Sequence, residues 1–430
     1  MPNEINTMII KLVEAKNYRS LLSVQQPLMR FQVLIGPNAS GKTTFLDIIS
    51  FISDILVNGI DYAIAERSAS YNDLTFGNKG GDIELAIEAQ VPENIREKTW
   101  NSEADTIRYE IRFGLTRDTQ EHAIFEERVV LFNSKKNPLN PVKHTLFPYY
   151  QDLSLPIVNR KYQSKTYRQI VRKKEGGNDN YADETYSESG KGWIPSFRLG
   201  IKRSALGNLP ADEHKFPTAT WLRTTLIEGV QLFILDSLNI RKASPPGQVR
   251  KFKTDGSNLP WVIDDLYRTN KHRFDSWIEH IRTALPDIKG ISVHERADDR
   301  HRYLVVHYDS GISVPSWLVS DGTLRLLALT LPAYLLDFSG VYLIEEPENG
   351  IHPKAMETVF QSLSSVYNAQ ILMASHSPVI LSMVPSEHVL CFAKTDEGIT
   401  DIVKGNEHPL LRDWRGEVNL SVLYAGGILG

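Results

Sequence analysis

The sequence predicts an α/β fold, and three stretches carry the prediction. Residues 31–47 run from an apolar strand through a glycine loop into a helical pattern. Residues 341–353 run from an apolar strand into two adjacent carboxylates, and residues 371–378 from an apolar strand into Ser-His-Ser-Pro. Each stretch delivers polar residues at the carboxyl end of a buried strand, the edge at which open α/β sheets bind their ligands.

The first stretch reads FQVLIGPNASGKTTFLD. Phe31, Gln32, Val33, Leu34 and Ile35 form the strand, and Phe45, Leu46, Ile48 and Ile49 recur at helical spacing beyond the loop. Between them lies G-x-x-x-x-G-K-T, made by Gly36, Pro37, Asn38, Ala39, Ser40, Gly41, Lys42 and Thr43, with Thr44 after it. With a strand before it and a helix after it, this loop sits where a phosphate cradle needs to be. Backbone N–H groups and the positive end of the helix dipole suit a polyphosphate. Gly36 and Gly41 let the chain turn closely around it. Lys42 is expected to reach the β and γ phosphates, and Thr43 to offer its hydroxyl to Mg²⁺. The stretch therefore predicts binding of a nucleoside triphosphate with Mg²⁺ as its companion.

Composition narrows the class. The 430 residues suffice for two or three domain-sized units, and 41% hydrophobic with 23% charged residues is ordinary for a globular chain. A formal net charge of −4 means that a nucleic-acid partner would need a local basic patch. The single cysteine, Cys391, excludes an intrachain disulfide and reads as a buried thiol in an apolar run. No apolar stretch is long enough to span a bilayer and residues 1–15 lack a leader pattern, so the expected location is cytoplasmic, with no membrane partner.

Along the chain, residues 8–15, 82–91, 106–115 and 123–132 alternate as strands, the last three antiparallel. From residue 133 to 216 periodicity weakens. Within that region, residues 159–174 hold Arg160, Lys161, Lys165, Arg168, Arg172, Lys173 and Lys174 with Tyr162 and Tyr167 and no acid. Basic residues interleaved with aromatics suit a nucleic-acid backbone and its bases, and equally suit a solvated face or a protein-docking site. Residues 220–238 read as a helix, 241–253 as a second basic cluster, and 259–267 and 273–285 as two more helices. Residues 291–294, 303–308 and 312–314 read as short strands, and the 418–430 tail is apolar and glycine-rich.

In the second stretch, VYLIEEPENGIHP, strand alternation implies different tasks for Glu345 and Glu346: one for the Mg²⁺ shell, the other for orienting or deprotonating water. His376, at the end of the third stretch, is placed to sense the γ-phosphate and that water.

Phosphate loop, S-D-G-x-L-R at Ser320 to Arg325, E-E-P-E-N-G-x-H-P at Glu345 to Pro353 and S-H-S-P at Ser375 to Pro378 occur in this order. As a set they resemble the ABC-type ATPase head of the RecF, SMC and OLD group. They look closest to the stand-alone AAA-family ATPases of bacterial anti-phage defence and retron-like systems. The resemblance implies a P-loop NTPase head with an antiparallel β subdomain and an inserted, mostly helical arm or lid. Two heads of that family sandwich two ATP molecules, each phosphate loop facing the signature of the other subunit. It further implies that ATP is the nucleotide, that Ser320 and Gly322 are the signature residues and that Glu345, with Thr43, is the Mg²⁺ ligand. Glu346 matches the catalytic base, Asn349 to His352 the loop crossing the dimer interface, His376 the switch histidine and Arg19 a nucleotide-proximal arginine. Glu345 stands where aspartate is commoner and Asp321 where transporters carry glycine; both departures fit the subgroup. No glutamine is assigned to the γ-phosphate-sensing loop.

The expected division is residues 1–132 and 291–430 as the two halves of the head, 133–216 as an irregular basic insertion and 217–290 as a helical arm or lid. The expected function is an ATPase acting as a nucleotide-gated sensor or scaffold in anti-phage defence. Its expected partners are a second copy and a separate effector such as a nuclease, since neither nuclease chemistry nor room for a TOPRIM domain is evident. Two alternatives stand beside it: a RecF-like repair ATPase clamping DNA through residues 159–174 and 241–253, and a nucleotide-locked scaffold with little hydrolysis.

Overall fold

Alternating apolar residues begin the chain as a hairpin. Strand β1 (Ile10–Tyr18) returns as β2 (Leu21–Pro27) through the two-residue turn Arg19-Ser20, where Arg19 takes a left-handed φ of 50°. The computed structural model describes residues 10–138, 156–162, 167–186, 196–336 and 338–409. β3 (Phe31–Ile35) leads into α1 (Lys42–Asn58) and α2 (Ile60–Ala65). Next come β4 (Ile83–Gln90), α3 (Glu93–Arg96), β5 (Thr106–Leu115), β6 (His122–Phe132), β7 (Tyr167–Lys174), β8 (Asp179–Tyr181) and β9 (Ser196–Phe197). They are followed by α4 (Pro217–Glu228), β10 (Val230–Phe233), α5 (Ser237–Arg241), α6 (Leu259–Thr269), α7 (Lys271–Ala284), β11 (Ile288–Glu295), β12 (Arg302–Tyr308) and β13 (Ser313–Pro315). The chain closes with α8 (Asp321–Thr330), β14 (Gly340–Glu345), α9 (Pro353–Ser364), β15 (Ala369–Ala374), α10 (Pro378–Met383), β16 (Val389–Lys394) and β17 (Thr400–Lys404).

The strands form three sheets. An eight-stranded antiparallel sheet runs β2-β1-β4-β5-β6-β7-β8-β9, and β11-β12-β13 form a small antiparallel sheet. The sheet that carries the site runs β10-β14-β15-β3-β16-β17, parallel except for β17.

Side-chain alternation in the parallel strands divides the core. Leu34, Leu343 and Leu372 face α1, whose Phe45, Ile48, Ile52 and Ile55 are wedged against Ile83, Leu85, Ile87 and Ile111 of the antiparallel sheet. Val33, Ile35, Tyr342, Ile344, Ile371 and Met373 face the other way, onto Leu324, Leu327, Val359, Trp277 and Ile281 from α7, α8 and α9. Burying each of these large side chains contributes about 1.5–3 kcal/mol. Sandwiched between two cores, the parallel sheet is held rigid, and α1 with it.

Three sequence readings change. The helix expected over 220–238 is α4, then β10, then α5: Gly229 ends α4 and VQLF pairs in register with Val341 to Ile344. An apolar run of this length does not distinguish a buried strand from a helix by periodicity alone. The 133–216 segment, expected to be irregular, adds β7, β8 and β9 to the antiparallel sheet; two of these have only three and two residues, too few to show a period. Three of the seven basic residues of 159–174 are engaged inside the fold, while Lys161, Arg172 and Lys174 are exposed. Arg160 pairs with Glu88 at 2.6 Å, Arg168 donates to Asp183 O and stacks on Trp100, and Lys173 pairs with Asp179 at 2.8 Å. In 241–253, Arg250 pairs with Asp265 and Lys251 donates to Glu228 O. Lys165 and the 418–430 tail lie outside the described residues.

Candidate nucleotide site

The loop between β3 and α1 is shaped by what touches it. Gly36 has φ +150° and Gly41 φ +103°; a Cβ at Gly36 would lie 2.3 Å from Phe392 O, and one at Gly41 2.4 Å from Thr400 Oγ1. Only glycine fits either position. Thr400 Oγ1 lies 2.9 Å from both Ser20 Oγ and Ser40 O, so β17 and the β1–β2 turn clamp the loop from outside. No side chain caps the N-terminus of α1, which leaves its first amides open to an anion.

Lys42 curls back across the loop, donating to Gly36 O and Pro37 O at 2.9 Å each. Burial pushes its ammonium down to about 8, against the pull of Glu346 and Glu345. A cavity of about 280 Å³ opens here, lined by Arg19, Ser20, Asn38, Ala39, Ser40, Gly41, Lys42, Thr43, Thr44, Glu345, Glu346, Ala374 and His376. Pro37 and Gly36 do not line it: Pro37 accepts from Lys42 through its carbonyl, and Gly36 backs the loop against Phe392.

The two carboxylates enter this cavity from β14. Glu345, its last residue, accepts from Thr43 Oγ1 at 2.8 Å, and burial raises its pKa. Strict alternation would send Glu346 to the opposite face. Instead the strand stops, Glu346 takes φ +44°, and its amide donates to Ala374 O at 2.9 Å, so both carboxylates line one cavity. Asn349 Nδ2 donates to Glu346 Oε2 at 2.7 Å, and His376 Nε2 lies 3.8 Å from Glu346 Oε1. Burial, with Lys42 adding to it, holds His376 below its usual pKa and so favours neutral imidazole. Among the described residues no group of three or more His, Cys, Asp or Glu side chains could hold a metal. The hydroxyl of Thr43 and the Glu345 carboxylate are hard oxygen donors, the one-or-two-ligand set with which Mg²⁺ binds alongside phosphate oxygens and water.

Arg19 reaches the cavity rim from the hairpin turn, 3.5 Å from Asp47 of α1. Tyr18 donates to the same Asp47 at 2.5 Å, and Arg67 pairs with it at 2.8 Å. Ser320 and Gly322 are not brought to the loop of their own chain. Ser320 caps α8, its Oγ accepting from Thr323 N at 3.2 Å, and Gly322 presses on the 349–352 loop, where a Cβ would lie 2.6 Å from Gly350 O. Sequence reasoning missed Ser20, Thr400 and Glu348. The first two carry no motif, while Glu348 lies inside the acidic motif and was visible as a third carboxylate.

The family described as “AAA domain, putative AbiEii toxin, Type IV TA system” matches residues 31–382, well over half of the chain. The chain belongs to this AAA family. Over 82 residues it is 35% identical to the “Retron Vc95 probable ATPase” of Vibrio cholerae serotype O1 biovar El Tor; the match spans 18% of this chain and 16% of that protein. The fold is that of an ABC-type ATPase head of the SMC kind. An Smc head bound to the C-winged helix domain of ScpA aligns over 92% of this chain and 96% of its own, at TM-score 0.50 and 14% identity. The Smc head with an extended coiled coil, bound to the C-terminal domain of ScpA and derived from Pyrococcus furiosus, aligns over the same shares at TM-score 0.51 and 12% identity. This AAA-family chain therefore carries the predicted head, with the 36–44 loop joining β3 to α1. No helix among the described residues is long and apolar enough to cross a membrane.

Proposed function

We propose that this protein binds ATP at the 36–44 loop and hydrolyses it to ADP and phosphate. The observation that carries the reading is the convergence of Lys42, Thr43, Glu345, Glu346 and His376 on one cavity at the open N-terminus of α1. Lys42 exchanges its two carbonyl partners for the β and γ phosphates. Thr43 and Glu345 hold Mg²⁺, which neutralises developing phosphate charge when bound. Glu346 takes the proton of the attacking water, Asn349 and His376 fix its orientation, and Arg19 closes the rim.

Ser320 and Gly322, away from the loop of their own chain, complete the site of a second copy, with the N-terminus of α8 meeting its γ-phosphate. The resulting dimer acts as a cytoplasmic nucleotide-gated sensor or scaffold in anti-phage defence, working with a separate effector. The family match and the short match to the retron ATPase support that role. A DNA clamp finds less support, since Arg160, Arg168, Lys173, Arg250 and Lys251 already have partners in the fold.

The test is ATP turnover with and without double-stranded DNA, wild type against Glu346→Gln, with size-exclusion analysis throughout. Hydrolysis indifferent to DNA, and a mutant trapped as an ATP-bound dimer, is the expected result. Strong DNA stimulation returns the clamp, and absence of wild-type turnover leaves a nucleotide-locked scaffold.

A further inference from the structure

Glu348, in the turn between β14 and α9, makes contacts that the proposed chemistry does not use. Its carboxylate accepts from Ser375 Oγ at 3.0 and 3.1 Å, one contact to each oxygen, and from the His376 amide at 2.5 Å. Ser375 is fully buried, and its Oγ in turn accepts from Ser377 N at 3.0 Å. Ser377 caps α10 through Ile380 N at 3.4 Å. One acceptor-only group thus fixes three consecutive residues between β15 and α10, with His376 in the middle. A carboxylate suits this place because it brings no hydrogen of its own to oppose either donor.

The backbone of the same turn faces the signature helix. Glu348 O accepts from Ile351 N at 3.0 Å, closing a turn in which Gly350 adopts φ +76° and abuts Gly322 at the start of α8. Contacts therefore run from the N-terminus of α8 through Gly350 to Glu348, and from its carboxylate to His376.

We propose that Glu348 is a positioning residue: it sets where His376 stands beside Glu346 and ties that position to the N-terminus of α8. A shift of α8 reaches His376 through one carboxylate, with no change at the phosphate loop. The kinetic part of this inference rests on the hydrolytic reading of the site; the geometric part does not.

The experiment uses the full chain labelled with ¹⁵N at its 12 histidines, the His376 amide being assigned by its loss in His376→Gln. A short bond to a carboxylate draws that amide far downfield, and both Glu348→Gln and Glu348→Ala move it upfield. In steady-state turnover both variants lose roughly 10–100-fold in kcat with KM for ATP little changed, as for a displaced supporting group. Glu348→Gln, keeping one oxygen, falls less than Glu348→Ala, and it retains the test should the alanine variant fold poorly. An amide resonance unmoved in either variant overturns the proposal. So does a moved resonance with unchanged kcat in a protein that hydrolyses ATP. If wild type hydrolyses nothing, the functional reading fails, and the amide resonance alone decides whether Glu348 holds His376.

Discussion

Arg108 and Lys42 are both basic side chains drawn out of water, at 1% and 7% exposure, in opposite company. Arg108, on β5, meets the carboxylates of Glu14, Glu88 and Glu110, the last at 2.7 Å. Arg128 and Arg160 neutralise Glu110 and Glu88 from the other side. Lys42 rests on two backbone carbonyls, while the nearby Glu345 and Glu346 face a cavity. Buried charge alone does not mark a functional site. What differs is whether the cation's partners are carboxylates that match its charge inside the fold, or neutral carbonyls that leave the charge uncompensated beside an open cavity. The first arrangement orders a sheet; the second marks a candidate site.

Substitutions can break or sharpen this contrast. The largest effect is expected at Glu346→Gln: roughly 10²–10⁴-fold in kcat with ATP affinity retained, read by turnover and equilibrium nucleotide binding. On the other side of the contrast, Arg108→Ala leaves buried Glu14 without its cation and takes one of two from Glu88 and Glu110, and costs about 3–5 kcal/mol in denaturant unfolding. At temperatures where that variant stays folded its nucleotide affinity equals wild type, and a parallel loss of affinity would erase the distinction. Lys42→Ala weakens ATP binding by roughly 100-fold, the equivalent of about 2.7 kcal/mol, and leaves the unfolding midpoint nearly unchanged.

The smallest expected effect concerns a carboxylate that belongs to neither cluster. Fully buried Glu184 accepts from Thr218 N, Thr218 Oγ and Ala219 N at the start of α4, yet burial outweighs those bonds and raises its pKa from 4.5 to about 7. The folded state therefore holds a proton that the unfolded state releases between those values. This group's contribution to stability is full below pH 4.5 and declines as pH rises toward 7. Glu184→Gln removes that decline, so the variant's unfolding free energy varies less with pH than wild type's across this range and the difference between the two shifts in the variant's favour as pH rises.

Much of the site was legible in the sequence because its chemistry is local. Gly36 to Thr44, Glu345 and Glu346 and His376 each sit at the end of an apolar strand, and the strand ends converge once those strands pair in parallel. The left-handed Glu346 was not legible, since alternation predicts the opposite face. Nor were Ser20 and Thr400, which reach the loop from the β1–β2 turn and from β17, hundreds of residues apart. The small strands β8 and β9 and the change from α4 to β10 were hidden by shortness. The basic stretch at 159–174 was legible only in part: Arg160 and Lys173 look free in one dimension, while Glu88 and Asp179 lie on strands that only the folded sheet brings alongside.

The order of strands also bears on how the protein is made. β3 and its loop lie near the start of the chain, yet β3 pairs with β15 and β16, and β17 clamps the loop from the far end. A ribosome adding about 5–20 residues per second completes those neighbours on the order of tens of seconds after the loop is synthesised. Through that interval the loop has no sheet to stand on, and its glycines have no walls to fit. The loop's final shape therefore arrives with the last strands, and a chain cut short before them lacks the walls that Phe392 and Thr400 give it.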